Sequence, residues 1–416
     1  MAQLSDDCFA FGGPLLSVDD AVALVGERLP VLAETETVPL ADADGRIAAG
    51  DVLAPIDLPP FDNSAVDGYA VRYSDLKPAG ETALPLGGRV AAGQAPDPAA
   101  TASATRIFTG APMPPETDTV FMQEDVRIDG TSVILPAGLK RGANRRFAGE
   151  DARRGQMIIP AGRRLRPQDL ALAAATGLDR IPVRRRLRVA LFSTGNELAE
   201  TGAALPASAV YDSNRVLLCA LLRRLGAAVR DLGILRDDAD EVARQLEAAA
   251  PDCDLILTSG GVSTGEEDHV KNAVERIGRL VFWRMAIKPG RPVAMGLLDG
   301  TAFVGLPGNP VAAYVTFLFL VRPLLARLGG ATYEQPHAVP VRAAFAYRKK
   351  EGRREYVRAS LRPGADGQLE AVKFGREGAG ILTSLTGSDG LVELPEEQTT
   401  VSEGATVRFY PHALLW

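Results

Sequence analysis

Behind Ser17, apolar residues recur at Val18, Ala21, Val22, Val25 and Leu29, the spacing of one helical face. Asp20 stands three residues after Ser17, so the pattern predicts an amphipathic helix with a box-like N-cap. From Val38 the period shortens, and residues 51–145 read as a β-rich module of short strands and turns. Within it, Val120–Ile128 and Thr131–Leu135 predict two strands joined at Asp129-Gly130, a hairpin signal. A helix follows from Pro167, well placed in a first turn, to Ala175, with Gly177 after it.

From Val189 the chain alternates. Strand Val189–Phe192 precedes helix Asn214–Leu225, which ends at Gly226; strand Val229–Leu235 precedes a helix ending at Ala250. Strand Asp254–Leu257 precedes a helix whose buried face carries Val270, Ala273, Val274 and Ile277. Strands Leu280–Ile287, Val293–Leu298 and Ala302–Val304 complete the series. Val311–Val321 is the longest apolar run, too short to span a bilayer, and reads as a buried helix with Asn309 as its N-cap and Pro310 its first residue. After Gly330 the pattern predicts strands Val339–Tyr347, Glu355–Leu361, Leu369–Phe374, Ile381–Leu385, Leu391–Leu394 and Thr406–Tyr410, a barrel-like all-β module.

Alternating strands and helices imply a mainly parallel sheet, which binds ligands at the carboxyl ends of its strands. Polar clusters fall at those ends: Glu197, Asp237, Thr258–Asp268, Lys288 with Arg291, and Asn309 between Pro307 and Pro310. In Thr258–Asp268, Gly260 and Gly261 allow a sharp turn and close approach to a ligand, while Ser259, Ser263 and Thr264 add hydroxyl donors. The stretch ends in Glu266, Glu267 and Asp268, which suits a ligand with anionic and polar parts, or a phosphate held with a metal ion. Glu266 and Glu267 occupy the Lys and Ser/Thr places of a Walker A loop, and G-x-G-x-x-G is absent. The competing reading is an ordinary strand-to-helix turn in which Asp268 caps the helix. In Pro59–Tyr69, Asp62 and Asp67 read locally as Asx-turn formers.

Composition narrows the classes. A chain of 416 residues suggests about three domains at ~150 residues each. A net charge of −6 argues against a nucleic-acid partner, and Arg184–Arg188 has no interleaved aromatics, so it reads as a solvated lead-in to a strand. Cys8, Cys219 and Cys253 form no C-x-x-C pair, and His269, His337 and His412 lie far apart, so neither structural zinc nor a disulfide framework is expected. Met1–Gly13 has no basic n-region, so no signal peptide is expected. The expectation is a cytoplasmic protein without a membrane partner.

The segments PPFDNSAVDGYA, FTGAPMP, GED, STGNEL, YDSN, TSGGVSTGEED, AIKPGRP and GLPGNP occur in that order. Together they resemble the MoeA family of molybdopterin molybdenumtransferases, which includes the E domain of gephyrin, over nearly the whole chain. The resemblance implies four domains: a split helical domain (14–50 and 146–183), the β-rich insert (51–145), a molybdopterin-binding α/β domain (184–332) and a C-terminal β-barrel (333–416). It implies a homodimer whose cleft is built from both subunits, and insertion of molybdenum from molybdate into adenylylated molybdopterin with release of AMP, assisted by Mg²⁺. A molybdopterin adenylyltransferase would supply the substrate. In this reading Asp62, Glu197, Asp237, Asp268 and Lys288 are catalytic, and Glu197, Asp237 and Asp268 hold the metal. Thr109, Arg146, Asp151, Ser259, Gly260, Gly261, Ser263, Arg284, Arg291, Pro307, Asn309 and Pro310 bind substrate, with Asp62, Thr109, Arg146 and Asp151 facing the cleft from the other subunit. Three departures stand out: Val66 replaces the commoner Met, Asn196 the commoner Asp, and Arg284 and Arg291 stand where Lys is common. The alternatives are a molybdopterin adenylyltransferase, which has the α/β domain and TSGGVS loop alone, and a gephyrin-like binding scaffold.

Overall fold

The computed structural model describes residues 15–262 and 269–415. Ser263 and Asp268, two of the expected site residues, lie outside the described residues, as do Thr264, Glu266 and Glu267.

The first helix spans Val18–Arg28, and Val18, Ala21 and Val25 are buried as the spacing predicts. Ser17 Oγ accepts from Asp20 N at 3.0 Å and donates to Asp20 Oδ2 at 2.7 Å. Strand Arg180–Arg184 lies between Thr35–Pro39 and Ile47–Ala48, so segments on both sides of the insert share one sheet. The insert is a mixed six-stranded sheet. Its hairpin pairs Asp129 with Ser132, and Gly130 takes φ +60°. The expected single strand Val120–Ile128 is broken: a 3₁₀ turn at Gln123–Asp125 carries the chain from one edge of the sheet, Thr119–Met122, to the other, Arg127–Asp129.

The α/β sheet has six strands in the order Ala228–Leu235, Arg188–Thr194, Leu255–Ser259, Thr301–Leu306, Pro292–Leu298, Arg279–Arg284. The first four are parallel, the last two antiparallel to their neighbours. Two apolar layers cover it. One packs the helices Val18–Arg28, Ser213–Arg224 and Pro310–Gly329 on one face; the other packs Ala239–Ala249 and His269–Ile277 on the opposite face. The expected strand Leu280–Ile287 divides. Arg279–Arg284 stays in this sheet, whereas Ile287–Lys288 pairs in parallel with Arg354–Glu355 of the C-terminal module. Remote backbone partners make the division: Ala286 N donates to Leu16 O at 2.7 Å, and Arg354 N donates to Ala286 O at 2.9 Å.

The apolar run Val311–Val321 belongs to a longer helix, Pro310–Gly329, of 20 residues. By length and composition it could cross a membrane, contrary to the estimate from the run alone, but 83% of its apolar window is buried inside the protein. The helix continues through Pro323. Phe317–Val321 forms π-helical turns just before Pro323, which has no N–H to donate.

The C-terminal module closes into a five-stranded barrel. Arg354–Pro363, Leu369–Lys373, Val339–Ala343, Thr406–Pro411 and Gly390–Leu394 follow in turn, and the last pairs back with the first. The expected strand Ile381–Leu385 is instead a one-turn helix, Thr383–Thr386. Ile381 and Leu385 stand four apart, the helical spacing, while Leu382 between them is exposed. The fold is thus the expected multidomain combination of a mainly parallel α/β sheet, a β-rich insert, helices and a C-terminal barrel.

Candidate active site

Thr194, Ser259 and Leu306 end neighbouring strands of the α/β sheet, and a cleft of about 700 Å³ opens above them. Glu197, Asp237, Ser259, Gly260, Gly261, Pro307, Asn309 and Pro310 all line it, as the strand-end argument requires. Asn214, Asp212, Gly380 and Leu382 complete parts of the wall.

The two glycines are dictated by space. Gly260 has φ +90°, and a Cβ there would lie 2.4 Å from the carbonyl oxygen of Thr194. A Cβ on Gly261, φ +66°, would lie 2.3 Å from Val270 Cγ2. Gly260 N donates to Leu306 O at 3.0 Å, so this loop is wedged between both neighbouring strand ends. Asn214 ties two loops together: its Nδ2 donates to Ser259 Oγ at 2.8 Å and to Gly308 O at 2.7 Å. The sequence reading missed it, although the YDSN segment held the signal. Arg215 braces the same wall through Asp212 (3.1 Å), Asp231 (2.8 Å) and Glu200. Burial alone would lower its pKa, but the bonds to Asp231 and Asp212 win and keep the guanidinium firmly charged.

Glu197 and Asp237 enter no ion pair among the described residues; Thr194 Oγ1 lies 3.4 Å from Asp237 Oδ1. Oxygen donors of this kind fit a hard cation such as Mg²⁺. Among the described residues no group of three potential metal ligands forms, and the expected third ligand, Asp268, is outside them.

A second groove, of about 370 Å³, continues from the first and shares Pro292, Pro307 and Asn309 with it. One wall carries Lys288 and Arg291; the barrel supplies Arg353, Arg358, Lys373 and Arg376, with Glu355 and Glu377 as the acidic members. Arg358 Nε donates to Ser384 Oγ at 3.1 Å and Nη2 to Gly378 O at 3.2 Å, and burial draws its pKa down. Sequence reasoning missed these barrel cations, because no motif surrounds them. Arg284 ends its strand opposite Pro292 but lines neither cavity. Asn309 precedes the long helix, but its side chain makes no capping bond. It faces the cleft instead, where a Cβ on Gly380 would lie 3.5 Å from its Oδ1.

Asp62, Thr109, Arg146 and Asp151 do not line this cleft. They gather around the short strand Asn63–Ser64, which pairs with Arg145–Arg146 and takes Gly110 N on Ser64 O. Asp151 lies at the base of this region, its N donating to Leu58 O at 3.0 Å. The local Asx-turn reading fails here. Asp62 accepts from Ala148 N at 2.7 Å and Arg145 Nε at 3.0 Å; Asp67 accepts from Thr109 N at 2.8 Å and Oγ1 at 2.7 Å. Burial pushes Asp62 up, but the Ala148 N–H and Arg145 outweigh it and hold the carboxyl below its ordinary range.

A strand-edge cleft that joins carboxylates to a cationic groove, on an α/β sheet fused to an insert and a barrel, defines a protein that handles an anionic, polyfunctional ligand. Residues 16–177 match the family model of the MoeA N-terminal region (domain I and II), 190–327 that of a probable molybdopterin binding domain, and 340–412 that of the MoeA C-terminal region (domain IV). The chain is 39% identical to the molybdopterin molybdenumtransferase of Haemophilus influenzae, over 95% of this chain and 98% of that one. It is 36% identical to molybdopterin molybdenumtransferase 2 of Mycobacterium tuberculosis, over 90% and 94%. Its structure is similar to a molybdopterin biosynthesis MoeA protein from Pyrococcus horikoshii, with a TM-score of 0.82 and 29% identity, covering 96% of this chain and all of the other. The chain therefore belongs to the MoeA family of molybdopterin molybdenumtransferases, enzymes of molybdenum cofactor biosynthesis. The alternative readings, adenylyltransferase and scaffold, take no support from these matches.

Proposed function

We propose that this chain inserts molybdenum from molybdate into adenylylated molybdopterin and releases AMP. The observation that carries the reading is the continuity of the two cavities: Glu197 and Asp237 at one end, Lys288, Arg291 and the barrel cations at the other. Molybdate, the pterin phosphate and AMP are all anions, and the cationic groove gives them favourable potential. Gly260, Gly261 and Asn214 shape the wall against which a ligand lies, and Gly378, Ala379, Gly380 and Leu382 of the C-terminal module line the opposite side of the two cavities. Glu197 and Asp237 are the residues that would hold Mg²⁺, which supplies charge neutralisation at the phosphates when bound.

The working enzyme in this reading is a homodimer. Asp62, Thr109, Arg146 and Asp151 sit on a separate surface, so a second copy is needed to bring them to the cleft. Leu53, Ile56, Phe61 and Phe147 are exposed on that surface, and Val210, Tyr211 and Val216 are exposed beside the cleft. Exposed apolar side chains of this kind support a subunit boundary that covers them. A molybdopterin adenylyltransferase is the substrate donor, and the setting is cytoplasmic, without nucleic-acid or membrane partners. AMP release from adenylylated molybdopterin, with and without molybdate, tests the reaction; a rate that ignores molybdate would overturn it. Light scattering tests assembly; a one-chain mass at concentrations where activity persists would remove the shared cleft.

A further inference from the structure

We propose that Glu355, a buried carboxylate of the C-terminal barrel, is the positioning residue for Lys288 and holds its ammonium aimed into the cationic groove. The inference rests on the reading of Lys288 as an anion-binding residue, and it adds a role for the barrel that neither the motifs nor the family matches assign.

The backbone makes the first part of the case. Lys288 follows a strand of the α/β sheet, yet Ile287–Lys288 leaves that sheet and pairs with Arg354–Glu355, Lys288 opposite Glu355. The lysine's place is therefore set by the barrel. The side chains make the second part. Lys288 Nζ lies 2.9 Å from Glu355 Oε2, and the Tyr347 hydroxyl donates to the same oxygen at 3.0 Å. Tyr347 comes from the short strand Tyr347–Arg348, which pairs with Thr400–Val401 outside the five barrel strands, so two elements of the C-terminal module fix the carboxylate. The Glu355 side chain is 2% exposed and that of Lys288 45%. The anion is thus sunk in the wall while the ammonium reaches the groove. An ammonium has three donors. One is committed to Glu355 and a long contact of 3.4 Å reaches Tyr347 Oη, which leaves a donor for a ligand.

A flexible lysine stem has many rotamers, and a hydrogen-bonded anchor removes most of them before the ligand arrives. The charges nearby do not duplicate this role. Arg353 stands 3.7 Å from Glu355 Oε1, an oxygen that makes no hydrogen bond, and Lys373 lies over the Tyr347 ring at 5.3 Å while pairing with Glu377. Lys349 is also close enough to feel Glu355. Burial alone would lower the pKa of Lys288, but the bond and charge of Glu355 outweigh it and hold the pKa above its ordinary value. The competing account is that the pair merely neutralises a buried carboxylate and fastens the barrel to the α/β sheet.

In Glu355→Gln, turnover read beside melting separates the two, because fastening alone predicts that activity is lost only as far as stability is lost. Glutamine keeps the shape and one acceptor but removes the charge. The readout is competitive acylation of Lys288 in the folded full-length protein, followed by mass spectrometry across pH, with thermal melting on the same samples. The expected result is that Lys288 reacts faster at a given pH, its midpoint lowered, and that molybdate-dependent AMP release falls at least tenfold at temperatures where the variant stays folded. Glu355→Asp keeps the charge but withdraws it by one methylene. The expected result is an acylation midpoint close to the native one with turnover still reduced, because reach rather than charge is lost. An unchanged Lys288 midpoint in Glu355→Gln would overturn the proposal. If the Gln variant does not fold, native turnover in Glu355→Asp would overturn it equally. The acylation arm needs no substrate. A shifted midpoint beside a wild-type protein that shows no molybdate-dependent AMP release would strike the proposed reaction and leave the positioning intact.

Discussion

Replacing Gly260 by Ala tests whether the loop after Ser259 is glycine because of the space around it or only because of its backbone angle. Gly300 is the natural control: its φ, +91°, matches that of Gly260, +90°, but no atom lies within 4 Å of a Cβ there. Both substitutions incur the cost of a left-handed backbone, about 1–2 kcal/mol. At Gly260 the new methyl also meets the Thr194 carbonyl oxygen at 2.4 Å, and a backbone atom in a sheet cannot step aside as a side chain can. Overpacking of this kind costs a further ~1–3 kcal/mol. In an α/β domain of this size the extra term lowers the melting temperature by roughly 2–12 °C relative to Gly300→Ala. Relief of the clash moves Thr194, whose hydroxyl lies beside Asp237, so AMP release falls even at temperatures where the variant is folded. The assay is a melting curve and AMP release on both variants side by side. Equal melting temperatures for Gly260→Ala and Gly300→Ala would refute the argument from close approach.

Other expectations are read from single groups. Lys288→Gln weakens molybdate binding and flattens its dependence on salt, measured by titration at several ionic strengths. Asp254, 4% exposed, accepts from both Arg185 Nη1 (2.6 Å) and Nη2 (2.9 Å) and from Arg188 N (2.8 Å), so Asp254→Asn destabilises by about 2–4 kcal/mol in chemical denaturation. His412 bridges Tyr314 Oη (2.8 Å) and Ser388 Oγ (3.2 Å), and burial holds its pKa below 6.5 despite Asp389. The unfolded chain therefore binds the proton first as pH falls, so this contribution to stability is complete above pH 6.5 and is lost as pH falls through the folded value. In melting curves from pH 8 to 5, His412→Gln shows a shallower decline below 6.5 than the wild type.

What could be read in advance follows from how local each determinant is. The helix at Val18 carries its cap, its face and its stop within a dozen residues, and the strand-end clusters followed from the rhythm between Val189 and Asn309. The break after Arg284 was illegible because the groups that take its backbone bonds, Leu16 and Arg354, lie far away in sequence. Ile381–Leu385 misled because five residues satisfy both a two-residue and a four-residue period. In the site, Glu197, Asp237 and the glycine turn announced themselves at strand ends. Arg358, Lys373 and Glu355 did not, since they sit on ordinary barrel strands and acquire meaning only when the barrel folds against the Lys288 segment. Asp62 and Asp67 looked like turn formers because their partners, Arg145 and Thr109, are contributed by a later strand and a later turn.

The β-rich insert leaves the rest of the molecule through a narrow stem: Val52–Leu53 runs antiparallel to Met157–Ile159, and Leu58 bridges to Ala152 just beyond. Its outgoing and returning chains are therefore neighbours, like the two sides of a bracket. A module attached in this way can be lengthened, exchanged or trimmed during evolution without re-registering the sheet formed by Thr35–Pro39, Arg180–Arg184 and Ile47–Ala48. The barrel is joined differently, for it borrows Ile287–Lys288 from the middle of the preceding module. Cutting the chain near Gly330 would leave that borrowed strand without its neighbour and an open β-edge on the detached barrel, a setting that favours self-association. The insert hangs on a two-stranded stem, whereas the barrel is tied to the preceding module by a strand that crosses the boundary between them.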